Sequence, residues 1–275
     1  MAVRQVTAVY FSPTGGTRRT ALAVARGLAQ GLDCPLVQRD LTRPDDRREE
    51  AAFGSGEAVV AAMPTYAGRL PNKIAPELER ILSGQRTPVV AVSVYGGRSV
   101  GDTLSELCGL LGRRGFLVKG AAAAAAQHAF TDRLASGRPD AQDEAELFSF
   151  GLRAAGQLLA EGEVPPGRVG SDPPGPYYTP LQEDGAPAVF LKAKPFTNPA
   201  ACLHCGRCAS LCPMGSISRE DPAQVPGICI KCQACVRGCP VGAKFFEDAQ
   251  FLSHVRMLER DFSALRRENR FYLPE

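Results

Sequence analysis

Cys202-Leu203-His204-Cys205-Gly206-Arg207-Cys208-Ala209-Ser210-Leu211-Cys212-Pro213 is one of two copies of a single pattern; the other is Cys229-Ile230-Lys231-Cys232-Gln233-Ala234-Cys235-Val236-Arg237-Gly238-Cys239-Pro240. Together they take eight of the ten cysteines. Every cysteine of the second copy lies the same distance downstream of its counterpart, so this is an internal repeat. The spacing, three cysteines two residues apart and then a fourth before proline, is that of chains holding two [4Fe–4S] clusters. Short spacers let three thiolates converge on one cubane, and the fourth cysteine opens the next segment toward the other cubane. That assigns cluster I to Cys202, Cys205, Cys208 and Cys239, and cluster II to Cys229, Cys232, Cys235 and Cys212. Structural zinc or disulfides are the alternatives. Zinc is satisfied by four ligands at looser spacing and has no use for the repeated Cys-Pro. The pattern implies electron transfer.

The rest of the chain sets the context. Its 275 residues suffice for one sizeable domain and a small one. The start, Met1-Ala2-Val3-Arg4-Gln5, runs into an apolar strand without the charged start and long apolar core of a signal peptide. No apolar run reaches membrane-spanning length, and cluster thiolates need a reducing compartment, so a cytoplasmic location is expected. Residues 1–163 hold 19 basic and 18 acidic side chains, and 199–247 hold 5 and 3. With each oxidised cluster and its thiolates carrying about −2, the loaded cysteine region would sit near −2. No basic stripe suggests nucleic acid.

Before residue 163 the pattern alternates. Apolar runs at 6–11, 58–63, 88–95 and 116–126, with a weaker one at 35–41, read as strands buried on both faces of a parallel sheet. Helical periodicity covers 17–32, a segment around Leu104, Leu107, Cys108 and Leu111, and 144–161. The fold class expected is α/β, a doubly wound five-stranded parallel sheet covered on both sides, followed by a small α+β region. Residues 164–198 are dense in proline and glycine and read as a linker without regular structure, with one short strand at 188–191. Residues 199–247 form the cluster domain. A final helix and tail, 248–275, carries Phe251, Leu252, Val255, Leu258, Phe262 and Leu265 at helical spacing for packing back onto the protein.

Three loops at successive strand ends point to a second cofactor. The first strand runs into Ser12-Pro13-Thr14-Gly15-Gly16-Thr17, where backbone N–H groups and a helix N-terminus suit a phosphate. It has neither the Lys of a nucleotide-binding P-loop nor the Cys of a phosphatase loop. The third strand ends in Pro64, Thr65, Tyr66, Ala67 and Gly68, and the fourth in Tyr95, Gly96, Gly97 and Arg98. Each supplies a tyrosine among small residues, so two tyrosines could sandwich an isoalloxazine whose phosphate sits on 12–17. FMN is the expected flavin. No further Gly-x-Gly-x-x-Gly follows a strand, which argues against a nicotinamide domain. Cys34 and Cys108 are expected as buried thiols, His204 and His254 at the surface, and Arg98 and Asp102 as loop-fixing residues. His128 follows the fifth strand and could approach the flavin rim.

The loop Ser12, Thr14, Gly15, Thr17 resembles the phosphate loop of the flavodoxin family, in which two further loops hold the FMN ring. With the eight cysteines, the chain is similar to a fused flavodoxin–ferredoxin family. The stretches Pro64-Thr65-Tyr66-Ala67-Gly68-Arg69-Leu70-Pro71 and Tyr95-Gly96-Gly97-Arg98, and the alanine-rich fifth strand before Gln127-His128, carry that likeness. The resemblance implies FMN, two [4Fe–4S] clusters, and redox proteins as donor and acceptor. One departure matters: this chain has no Trp and is near neutral around the loops, so the very low potential of acidic flavodoxins is not carried over. Three functions stay open: an electron carrier, a flavin-dependent reductase of a small molecule fed through its own clusters, and a redox-sensing module.

Overall fold

The computed structural model describes residues 3–275. β1 (Gln5–Tyr10) leads into α1 (Gly16–Gly31) and β2 (Leu36–Asp40). After a 3-10 turn at Asp45–Arg47 come β3 (Ala51–Phe53), β4 (Glu57–Pro64), α2 (Ala75–Ile81), β5 (Leu82–Gly84) and β6 (Thr87–Tyr95). α3 (Thr103–Arg113), β7 (Phe116–Ala125) and α4 (Ala141–Gln157) complete the α/β region. The remainder holds α5 (Pro166–Val169), β8 (Phe196–Thr197), α6 (Arg207–Leu211), α7 (Ala234–Arg237), β9 (Lys244–Phe245), α8 (Ala249–Phe262) and β10 (Arg270–Tyr272).

The main sheet is ordered β10-β7-β6-β4-β1-β2. Its five long strands pair in parallel, and in chain order they run 2-1-3-4-5, the flavodoxin-like arrangement with its switch point beside the first strand. β4 and β6 are buried along nearly their whole length because helices cover both faces. One face packs β1, β4 and β6 residues against α1 and α4, with Val24, Leu28, Leu147 and Phe150 buried. There the helices touch backbone to backbone: a Cβ at Gly27 would lie 2.0 Å from the Phe148 carbonyl oxygen, and one at Gly151 2.2 Å from that of Val24. The other face packs Phe11, Met63, Val89 and Ala91 against Leu78, Ile81, Leu104 and Leu107.

Several expectations are corrected. A sixth strand, β10, joins the sheet antiparallel to β7, Phe271 opposite Ala122. Three residues with no partner nearby in sequence leave no periodic signal. A small parallel pair, β3 with β5, lies outside the main sheet. Residues 164–198 are not a free linker. They include the short helix α5, bury Val164 and Val169 in the α/β core, and hold no strand at 188–191. The strand of that region is β8, which pairs antiparallel with β9. His254 is 5% exposed on α8, its Nδ1 2.8 Å from the Leu181 carbonyl oxygen, rather than at the surface. Cys34 is only half-buried, whereas Cys108 is buried and its thiol is pushed up to about 12 by burial. Among the described residues no helix is long and apolar enough to cross a membrane.

Candidate functional site

The sequence repeat is also a backbone repeat. Left-handed residues occur at His204 and Gly206 in the first run and at Lys231 and Gln233 in the second, each pair in the same place relative to its cysteines. Such turns within two-residue spacers bring successive sulfurs to one side. A one-turn helix follows in each run, α6 and α7, and then a left-handed glycine, Gly215 or Gly242. Beyond each fourth cysteine the same hydrogen bond recurs: Ser216 N–H donates to Cys212 Sγ at 3.3 Å, and Ala243 N–H to Cys239 Sγ at 3.2 Å.

The eight sulfurs sort into two cavities. One is lined by Cys212, Cys229, Cys232 and Cys235. The other is lined by Cys202, Cys205, Cys208 and Cys239. Each thus takes three cysteines from one run and the fourth from the other. In the first cavity burial raises the Cys229, Cys232 and Cys235 thiols, and neighbouring thiols add to it; Cys235 is pushed up to about 12. Four sulfurs crowded this way cannot ionise together unless a multivalent cation neutralises them, so the donor set fits an iron–sulfur cluster. Cys239 behaves differently. Burial raises it, but backbone N–H groups of Val241 to Lys244 surround the sulfur and leave it below the ordinary thiol value.

The three loops expected to hold a flavin lie together at the carboxyl ends of β1, β4 and β6, which are neighbours in the sheet. Gly15 adopts φ 89° and caps α1, with open space where a Cβ would be. The Ser12 hydroxyl accepts from the Arg18 N–H at 2.9 Å, and the Ser12 N–H donates to Thr42 Oγ1 at 2.9 Å. The N–H groups of Thr14, Gly16 and Thr17 make no hydrogen bond among the described residues. Thr14 is exposed and Thr17 is buried beside it.

In the second loop, Pro64 ends β4, and Thr65 is held by its N–H to the Val94 carbonyl at 2.7 Å and its hydroxyl to that of Ser93 at 3.0 Å. Tyr66 and Arg69 exchange backbone hydrogen bonds around left-handed Ala67 and Gly68. Burial, then the Cys232 and Cys229 thiols, holds the Tyr66 hydroxyl well above the ordinary tyrosine value. In the third loop Gly96 faces His128, whose ring would lie 2.4 Å from a Cβ there, and left-handed Gly97 faces Ala135. Arg98 stacks its guanidinium 3.4 Å from the Tyr178 ring centroid, and its buried Nε has no hydrogen-bond partner. His128 is lowered to about 4 by burial, then by His254 and nearby arginines; its Nδ1 accepts the Phe130 N–H at 3.1 Å. At neutral pH it is an uncharged imidazole.

Tyr95 corrects the two-tyrosine sandwich. It is 4% exposed, its ring lies in the core, and its hydroxyl donates to the Glu268 carbonyl at 3.3 Å. The aromatic residue at this loop is instead Tyr178, which sequence reasoning missed. Its one signal was a pair of aromatics, Tyr177-Tyr178, inside a proline and glycine run. Asp102 straps that run down by accepting the Ser171 and Gly175 N–H groups at 3.0 and 2.9 Å. The Tyr177 hydroxyl donates to the Leu70 carbonyl, and the Tyr178 N–H to that of Ala67.

The cavity lined by Cys212, Cys229, Cys232 and Cys235 abuts these loops. Met214 and Ile230 from its lining pack against the α/β core. Buried Arg47 donates to the Pro213 carbonyl at 2.7 Å. Arg237 donates to the His128 and Ala129 carbonyls at 3.0 and 2.8 Å and pairs with Asp132 at 2.7 Å.

Residues 195–218 and 226–242 each match a family model described as a 4Fe-4S binding domain. No curated protein matches the chain. Solved structures similar to it include a flavodoxin from the domain Archaea, 16% identical over 56% of this chain and 98% of that one, with a TM-score of 0.38. A Streptococcus pneumonia TIGR4 flavodoxin is 17% identical over 57% of this chain and 98% of its own, at a TM-score of 0.37. Rubredoxin oxygen:oxidoreductase from Desulfovibrio gigas is 16% identical over 58% of this chain, which spans only 38% of that protein, at a TM-score of 0.37. The α/β region thus has the flavodoxin-like strand order, and the two 4Fe-4S matches fall on the cysteine region.

Proposed function

We propose that this protein carries electrons between redox proteins, using FMN in the α/β region and two [4Fe–4S] clusters in the cysteine region. The observation that carries this reading is the crosswise sorting of eight cysteines into two cavities, one of them against the loops at the strand ends. Bound there, FMN would supply two-electron chemistry and each cluster one-electron chemistry. The chain's own residues do the rest. The free N–H groups of Thr14, Gly16 and Thr17 would hold the phosphate, assisted by the hydroxyls of Ser12, Thr14 and Thr17. Tyr66, with Pro64, Thr65, Ala67 and Gly68, would flank the ring on the side of Cys229 and Cys232. Gly96 and Gly97 leave room for its edge, and Arg98 offers its unpartnered Nε as a donor. Residues 1–163 and 199–247 would be the two functional units, with 164–198 strapping them and 248–275 closing the α/β region.

Anaerobically purified protein should contain about eight iron and eight sulfide, and heat should release FMN rather than FAD. Thr14→Glu should abolish flavin binding by setting like charge against the phosphate while leaving the iron in place. Stoichiometric zinc, or flavin retained in that variant, would overturn the assignment. A second reading, reduction of a small molecule at the flavin, draws on uncharged His128 near Arg98, whose Nε has no hydrogen-bond partner. Turnover of such a molecule by a variant lacking its clusters would favour it.

A further inference from the structure

We propose that the two thiol-lined cavities work in a fixed order: the cavity of Cys212, Cys229, Cys232 and Cys235 exchanges electrons with the α/β site, and that of Cys202, Cys205, Cys208 and Cys239 with a one-electron redox protein docked over Leu203 and Val241. This rests on the cofactor reading above and adds to it an order and a docking face.

The internal repeat carries the argument. The two runs share spacing, turns and N–H···S bonds, so their roles must differ through what surrounds them. Residues 27 positions apart are structural counterparts, as Cys202 is to Cys229 (202 + 27 = 229). By that offset Ile230 corresponds to Leu203, and Met214 to Val241. Ile230 and Met214 pack against the α/β core. Leu203 and Val241 are 65% and 43% exposed. One face of the repeat is therefore used to dock the α/β region, and its twin is an uncovered apolar face beside an exposed cysteine, Cys205. The same type of surface that receives a redox domain within the chain is repeated outward for a second redox protein.

The inner placement has independent support. Arg47 and Arg237 tie the surroundings of the inner cavity to the α/β region on two sides, Arg47 at the carbonyl of Pro213 in its lining and Arg237 of the second run at the 128–132 loop. Tyr66 lies near enough for the Cys232 and Cys229 thiols to act on its hydroxyl. The lining of the outer cavity comes wholly from residues 197–244. Electron tunnelling falls steeply with distance, so the near cavity is the one that serves the flavin site. Each docked partner molecule gives up one electron and is itself oxidised. Two such transfers reduce one FMN, which takes its proton from solvent; the same route runs in reverse.

The test uses the full chain, anaerobically loaded, with a reduced bacterial-type ferredoxin as protein donor and dithionite as small donor. Leu203→Asp with Val241→Asp should slow flavin bleaching by the protein donor about tenfold, leaving the iron content and dithionite bleaching unchanged. Cys232→Ser should still take electrons from the donor but leave the flavin oxidised. An aqueous dysprosium chelate should speed the EPR relaxation of one cluster only, the one missing in Cys205→Ser. Wild-type bleaching in the Leu203/Val241 variant, flavin reduction in Cys232→Ser, or equal dysprosium effects on both clusters would overturn the order. Should a cysteine variant lose both clusters, the surface variant and the dysprosium measurement on unmutated protein decide. Absence of flavin or of half the iron from the unmutated protein would instead remove the cofactor reading itself.

Discussion

The α/β region and the cysteine region keep their shape by different means. The first buries two apolar layers on a long-stranded sheet, with core residues from nearly every strand and helix. The second has two-residue strands and helices of four or five residues, and its own core cluster is Cys208, Ala209, Ile217 and Cys235, half of it cysteine. A region this small lacks the apolar burial to offset its chain entropy, so cross-linking by bound clusters must supply the difference. One region would hold its site ready before the cofactor arrives; the other would be shaped by what it binds.

The largest effect should separate the two directly. Stripping iron from the full chain with a chelator should make residues 199–247 sensitive to protease while 1–163 stays resistant and keeps its circular dichroism. Equal protection of both regions in the stripped protein would break the contrast.

The seam comes next. Arg47 is 2% exposed on its side chain, pairs with Glu77 at 2.6 Å, and donates to the Leu41, Thr42 and Pro213 carbonyls. Arg47→Ala strands these acceptors and should cost about 3–5 kcal/mol in urea unfolding, with the cysteine region loosened first in hydrogen exchange. A cost within experimental error would mean that the regions are not held together at this point.

Acid should weaken the α/β region at one buried pair. Burial raises the Asp143 carboxyl, but Arg138, the Asp140 N–H and Asn269 outweigh it and hold it at about 2, below the ordinary 3.8. Because the folded value is depressed, the stabilisation is complete above the unfolded carboxylate value near 4 and is lost as pH falls toward 2. It amounts to about 2 kcal/mol, and Asp143→Asn should remove that pH dependence. An unchanged acid profile in the variant would assign the dependence elsewhere.

The smallest effect sharpens the role of the C-terminal tail. Tyr95→Phe removes one long hydrogen bond to Glu268 and should cost at most about 1 kcal/mol, with flavin content unaffected. Loss of flavin from this variant would return Tyr95 to the binding site.

Much of this protein is written in local pattern. The cysteine repeat determined the two groups of four, because spacers of two and three residues leave a chain few ways to turn its sulfurs inward. The apolar runs and Gly15 after the first strand determined the parallel sheet and the turn into its first helix, since burial on both faces and a left-handed cap each demand a residue type. What the sequence could not determine is what lies far apart in the chain and meets through packing. The three β10 residues, the placement of Tyr178 at the loop, and the strap of 164–198 all depend on partners far away in the chain. The two runs of cysteines are alike as sequence. Only the tertiary structure made one inner and one outer, because a repeat can present just one of its twin faces to the same α/β wall.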